Sequence, residues 1–159
     1  MEIPQGAKDE IMERARYCFG CGVCMGGCPV ARVNEGFNPR LLVRELILEN
    51  WEEVLTGDAI WLCSQCHLCT ENCPQGVGLS ELIVKLRNLA TSLGITPPKS
   101  YTDKIKLMAR TGRLALLTAP TARARRSLGL TEMEEAEVKE IRKLAKGTGF
   151  ETFLADLEG

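Results

Sequence analysis

A mainly α fold is predicted by three observations. Two runs of cysteines repeat 45 positions apart, apolar residues outside those runs recur at helical spacing, and no segment before residue 95 alternates convincingly with period two. The 159 residues suit one compact domain plus an extension. Apolar residues make up 45% of the chain but aromatic ones only 5%, so Leu, Ile, Val and Ala must fill the core.

In chain order, residues 5–16 are expected to form a short helix leading into the first run, Cys18-Phe-Gly-Cys21-Gly-Val-Cys24-Met-Gly-Gly-Cys28-Pro29. Asn38-Pro39 then opens a helix, Asn38 as N-cap and Pro39 at the first helical position, where its missing N–H is no loss. Leu42, Leu46 and Ile47 are its helically spaced apolar residues. Trp51, Val54 and Leu55 continue the pattern after a break near Asn50. Asp58 is expected to cap a short helix, Ala59–Leu62, which leads into the second run, Cys63-Ser-Gln-Cys66-His-Leu-Cys69-Thr-Glu-Asn-Cys73-Pro74. Ser80 is expected to cap a helix with a stripe of Leu82, Ile83, Leu86, Leu89, Ala90 and Leu93, ended by Gly94. Residues 95–101 read as a linker, because Pro97-Pro98 cannot continue a helix. Beyond it, Thr131 with Glu134 forms a capping box before a stripe of Val138, Ile141, Leu144 and Ala145 that stops at Gly147. The closing Phe150–Leu157 stretch is apolar enough to pack. The expected organisation is residues 1–95 as the cysteine-bearing domain and 96–159 as a helical C-terminal extension that docks on a partner.

Both cysteine runs read C-x2-C-x2-C-x3-C-P, and no cysteine is left over. Three thiolates at two-residue gaps can wrap one corner of an iron–sulfur cube, each reaching a different iron. The fourth, just before a proline, is carried away by the turning chain and in two-cluster ferredoxins ligates the other cluster. Two 4Fe–4S clusters are therefore expected, one on Cys18, Cys21, Cys24 and Cys73 and the other on Cys63, Cys66, Cys69 and Cys28. The connection from Cys28 to Cys63 reads as helical, so the fold class is an alpha-helical ferredoxin. Zinc sites instead favour two cysteine pairs across a longer gap, and disulfides do not suit a reducing compartment. Gly20, Gly22, Gly26 and Gly27 are expected to allow close backbone approach. His67 reads more readily as a polar spacer than as a tuner of the cluster. Phe19, Met25, Trp51 and Trp61 are expected to shield the clusters from water.

The 20 basic and 21 acidic side chains give a formal charge of −1 and no argument for nucleic acid. Each oxidised cluster with its four thiolates adds about −2, taking the loaded chain to about −5. Lys99 to Arg126 holds eight bases and one acid, whereas Glu132 to Gly159 holds eight acids and four bases. These stretches read as solvated helix faces or as docking surfaces. Residues 1–17 show no signal peptide, and nothing approaches the roughly 18 apolar residues of a membrane span, so a cytoplasmic protein is expected. No nucleotide-binding glycine loop or nucleophile–base pair is recognisable, and four cysteine ligands leave no open iron, so no catalytic residue is assigned and the chain should carry electrons.

The chain resembles the C subunit of heterodisulfide reductase. The likeness covers nearly its whole length: both cysteine runs, the Cys-Phe-x-Cys-Gly opening at Cys18–Gly22, the Trp-Leu-Cys approach at Trp61–Cys63, and the tail from Glu137 to Phe150. The cysteine runs alone are shared with many iron–sulfur subunits. The resemblance implies a relay of electrons from an A-type subunit, which binds flavin and iron–sulfur clusters, to a B-type catalytic subunit that reduces the disulfide of coenzyme M and coenzyme B in methanogenesis. Related complexes use similar subunits with other substrates. The competing readings are a diffusible ferredoxin-like carrier, an iron–sulfur subunit of another anaerobic oxidoreductase, and a zinc-stabilised interaction module.

Overall fold

The computed structural model describes residues 1–132 and 138–158. Among them lie eleven helices and no strand, as the mainly α reading requires. Contacts divide the chain into two compact units, Met1–Thr96 and Pro97–Gly159.

In the first unit, α1 (Gln5–Ala15) buries Ile11, Met12 and Ala15. The one-turn α2 (Val23–Gly26) lies inside the first cysteine run. In α3 (Pro39–Ile47) the Asn38 side chain accepts hydrogen bonds from the Arg40 and Leu41 N–H groups, 3.1 Å each, so the cap forms as its sequence implies. Leu42, Val43 and Leu46 make the buried face. Ile47, expected in that stripe, is 40% exposed. Val43 takes the inward place instead, and the helix gives way after Ile47 to a bend with Glu49 at φ +60.

After the bend, α4 (Trp51–Thr56) buries Trp51, Val54 and Leu55. Asp58 stands at the start of α5 (Ala59–Leu62) but makes no capping bond. Its own backbone is already helical, at φ −72 and ψ −19, so its side chain is not turned back toward the N–H groups of the next turn. The one-turn α6 (Leu68–Glu71) lies inside the second run. The central helix is α7 (Leu79–Ser92), which buries Leu82, Ile83, Leu86, Leu89 and Ala90. Each of its buried Leu and Ile side chains is worth about 1.5–3 kcal/mol when taken from water. Its N-cap is Gly78, at φ +66, and not Ser80, which lies within the first turn and spends its hydroxyl on other partners described below. Gly94 ends it at φ +80, with the Ile95 N–H donating to the Ala90 carbonyl at 2.9 Å. Lys85 pairs with Glu10 at 2.8 Å and ties α7 to α1.

In the second unit, α8 (Lys99–Thr111) begins inside the expected linker. Pro97-Pro98 forbids helix before it but not after, and Pro98 serves as the N-cap residue. The Thr118 hydroxyl caps α9 (Ala119–Ser127), which buries none of its residues. α10 (Val138–Ala145) and α11 (Gly149–Glu158) pack with α8 and with each other, around buried Ala109 and Ala145. Leu144, expected in the α10 stripe, is 79% exposed, because the neighbouring Ala145 takes the inward position. Glu134 of the expected capping box lies outside the described residues. Among the described residues no helix is long and apolar enough to cross a membrane.

Candidate metal centre

The repeat in the cysteine runs is also a repeat in backbone geometry. Gly20 and Gly22 take left-handed φ values of +66 and +82, and their counterparts 45 residues on, Gln65 and His67, take +57 and +62. The bend two residues after the first cysteine of each run turns an N–H onto that cysteine's sulfur. Gly20 N–H donates to Cys18 Sγ at 3.4 Å, and Gln65 N–H to Cys63 Sγ at 3.4 Å. Backbone N–H groups so turned make a concavity that favours negative charge. The Gln65 side-chain amide adds a second donor to Cys63 Sγ at 3.5 Å, and Ala31 N–H donates to Cys28 Sγ at 3.5 Å.

The eight cysteines line two cavities. Cys18, Cys21, Cys24 and Cys73 line one, which is walled by Val43, Val77 and Leu79. Cys28, Cys63, Cys66 and Cys69 line the other, which is walled by Val30, Phe37 and Ile83. Cys73 thus stands with the first run and Cys28 with the second. Cys69 also borders the first cavity, so the two abut. Cys28 is buried, whereas Cys21 and Cys66 are exposed at the rims. Among the described residues no three Cys, His, Asp or Glu side chains converge as they would on a single ion.

Four sulfur donors around each cavity, N–H groups aimed at several of them, and apolar walls fit an iron–sulfur cluster. The protonation chemistry agrees. Burial pushes the Cys69 thiol up to about 11, helped by the negative charge of Cys63, Cys24 and Cys66 as thiolates. Burial also raises Cys24, with Cys18 adding to it, and raises Cys63 against the pull of the Gln65 N–H and Arg87. Protein groups alone do not hold these sulfurs as thiolates at neutral pH; cationic iron would.

Outside the cysteines, three side chains hold the runs in place. The Arg87 guanidinium donates from Nε to the Ile60 carbonyl and from Nη2 to the Cys63 carbonyl, 2.7 Å each, and lies over the Trp61 ring at 5.7 Å. This fixes the start of the second run to α7. Arg40 makes a longer bond to the Gly20 carbonyl, 3.4 Å, in the first run. His67 is more than a spacer: its Nδ1 lies 3.0 Å from Ser80 Oγ and 3.5 Å from Glu81 Oε1. Thr70 bonds both Ser80 and Glu81. Burial works against the Glu81 carboxylate. Its own N–H, the Thr70 and Ser80 hydroxyls and His67 outweigh that and hold its pKa below the usual range.

The expected aromatic shield is met only in part. Phe19 borders the first thiol cavity but is 76% exposed. Trp51 lies beneath Lys8, beside a pocket without cysteines. Trp61 is buried under Arg87, and neither it nor Met25 lines a thiol cavity. Most of the wall comes from aliphatic residues and Phe37, some close to a cysteine, such as Val30 and Val77, and some from the helices, such as Val43 and Ile83.

Comparison with known proteins agrees with this geometry. The 4Fe-4S dicluster domain family matches residues 14–77. The C subunit of the ferredoxin:CoB-CoM heterodisulfide reductase of Methanosarcina mazei is 32% identical, over 87% of this chain and 88% of its own length. The C2 subunit of the H(2)/formate:CoB-CoM heterodisulfide,ferredoxin reductase of Methanococcus maripaludis is 33% identical, over 96% and 91%.

The chain belongs to the family of heterodisulfide reductase C subunits.

A protein of Archaeoglobus profundus described as like the heterodisulfide reductase C subunit is 31% identical over 86% of the chain. As a member of this family the chain is an iron–sulfur protein of the 4Fe–4S type, with an electron-transfer role in an oxidoreductase.

Proposed function

We propose that this chain relays electrons through two 4Fe–4S clusters, from an A-type subunit that bears flavin and iron–sulfur clusters to a B-type catalytic subunit. The disulfide reduced there is the heterodisulfide of coenzyme M and coenzyme B, and the complex is cytoplasmic. One cluster takes Cys18, Cys21, Cys24 and Cys73, and the other takes Cys63, Cys66, Cys69 and Cys28.

The observation that carries this reading is the shared wall at Cys69, which borders both thiol cavities. When bound, each cluster accepts and returns an electron at a potential set by its charge, hydrogen bonds and exposure to solvent. The protein supplies the rest. Left-handed bends aim N–H groups at sulfur, Arg87 and the His67–Ser80 bond hold the second run against α7, and apolar walls exclude water. The exposed Cys21 and Cys66 open one thiol of each cavity to solvent, where electrons can be exchanged.

Residues 97–159 dock the chain on its partners. In support, α9 buries none of its own residues and carries Arg123, Arg125 and Arg126. The test is anaerobic purification at native abundance followed by identification of bound chains. A flavin-bearing chain and a second cysteine-rich chain should accompany this one, and removing it should stop disulfide reduction driven from the flavin. A stable monomer that reduces several unrelated enzymes would identify a diffusible carrier instead.

A further inference from the structure

A groove beside the first thiol cavity is not explained by cluster binding. Arg40, Arg44 and Ile47 lie at helical spacing on the outward face of α3, opposite buried Leu42, Val43 and Leu46, and Leu48 follows as its C-cap. With Cys18 and Phe19 they line the groove. Cys18, Phe19 and Arg40 border the first cavity as well, so a thiol is part of the groove's own wall. The apolar part is open to solvent: Phe19 is 76%, Ile47 40% and Leu48 53% exposed. No acidic residue lines the groove, and neither arginine has an ion pair among the described residues.

We infer that this groove is the port through which the first cavity meets its electron-exchange partner, and that it receives an acidic segment of that partner bearing an apolar side chain. The inference rests on the relay reading above and adds the face and the chemistry of contact. Two adjacent guanidinium groups with no carboxylate call for negative charge, and guanidinium suits carboxylate geometry. Phe19, Ile47 and Leu48 call for an apolar side chain beside it. Offsetting the charge of a cluster explains Arg40, which borders the cavity, but not Arg44, which does not. A free small anion leaves the three apolar residues without a role.

The experiment uses the full-length, cluster-loaded chain and the separately purified A-type and B-type subunits. Binding to each is measured at low and at high salt for the wild type, Arg44→Glu and Leu48→Asn, with iron content and cluster spectra recorded for every sample. Arg44→Glu should keep its iron and bind one of the two subunits about tenfold or more weakly at low salt. The difference should shrink at high salt, where screening shortens the reach of charge. Leu48→Asn should weaken the same complex with little dependence on salt. If Arg44→Glu loses iron, Arg44→Gln is used and should give a smaller loss of the same sign. Unchanged binding of the variants to both subunits would overturn the port while leaving the relay intact. A loss equal at both salt concentrations would overturn the acidic occupant. Self-association of the wild-type chain abolished by Arg44→Glu would make a second copy the occupant and overturn the inference. Failure of the wild type to bind either subunit would sink both readings together.

Discussion

Gly22 and His67 stand 45 residues apart in the same left-handed bend, at φ +82 and +62, each just ahead of the one-turn helix of its cysteine run. One position is held by a residue that adopts the bend freely. The other is held by a residue that does not, and His67 is bonded to Ser80 and faces Glu81 on α7. A non-glycine residue in this region carries a penalty of roughly 1–2 kcal/mol, which the bonds to α7 offset.

Gly22→Ala therefore isolates the bend. A Cβ at residue 22 has room, its nearest neighbour being Arg40 Cδ at 3.9 Å, so the strain is conformational. The loaded protein should lose about 1 kcal/mol of stability, read from denaturant unfolding under anaerobic conditions. A loss near zero would show that the bend tolerates any residue.

Ser80→Ala should destabilise the loaded protein by about 1–3 kcal/mol, because a buried hydroxyl network loses its centre. In a His67→Gly background the same change should cost less, since one of the bonds is already gone. Equal costs in the two backgrounds would mean that His67 and Ser80 are not coupled.

Arg87→Leu leaves the Ile60 and Cys63 carbonyls without their guanidinium donor. The proposed cluster on Cys63, Cys66, Cys69 and Cys28 should be lost faster to chelator than the other, by about tenfold or more, as expected when a partner outside the ligand shell is removed. Equal rates for the two clusters would contradict the positioning role.

How far the sequence carried depends on the range of each interaction. The cysteine runs and the Asn38-Pro39 cap were legible because their chemistry is local: ligand spacing, and a side chain reaching two and three residues ahead. The roles of Ser80 and Arg87 were not. Ser80 looks like a helix cap, yet its hydroxyl meets residues 10 and 13 positions away, and Arg87 reaches carbonyls 24 and 27 positions away. The stripes on α3 and α10 were each drawn one residue too wide, at Ile47 beside buried Leu46 and at Leu144 beside buried Ala145, because periodicity leaves two neighbouring positions open at a helix end and packing chooses between them. The shield expected of Met25, Trp51 and Trp61 failed for a similar reason. Nearness in sequence to a cysteine does not put a ring over a thiol in a chain that turns as tightly as this one.

Removing the clusters with chelator under mild oxidation should abolish the cooperative unfolding transition and much of the helical circular dichroism of residues 1–96. Folding and metal binding are linked where ligands come from separated segments. A cluster-free chain with an unchanged transition would show that the aliphatic core suffices alone.

The crossing of ligands is tested by Cys28→Ser, which alters a thiol of the first run that lines the second cavity. In the reduced variant, electron paramagnetic resonance should show one intact cluster, with iron falling from about eight to about four per chain. The surviving signal should be that of the cluster on Cys18, Cys21, Cys24 and Cys73, identified by its further loss in Cys28→Ser with Cys21→Ser. A variant that instead keeps the cluster on Cys63, Cys66 and Cys69 and loses the other would contradict the proposed pair of abutting, cross-ligated centres on which the relay depends.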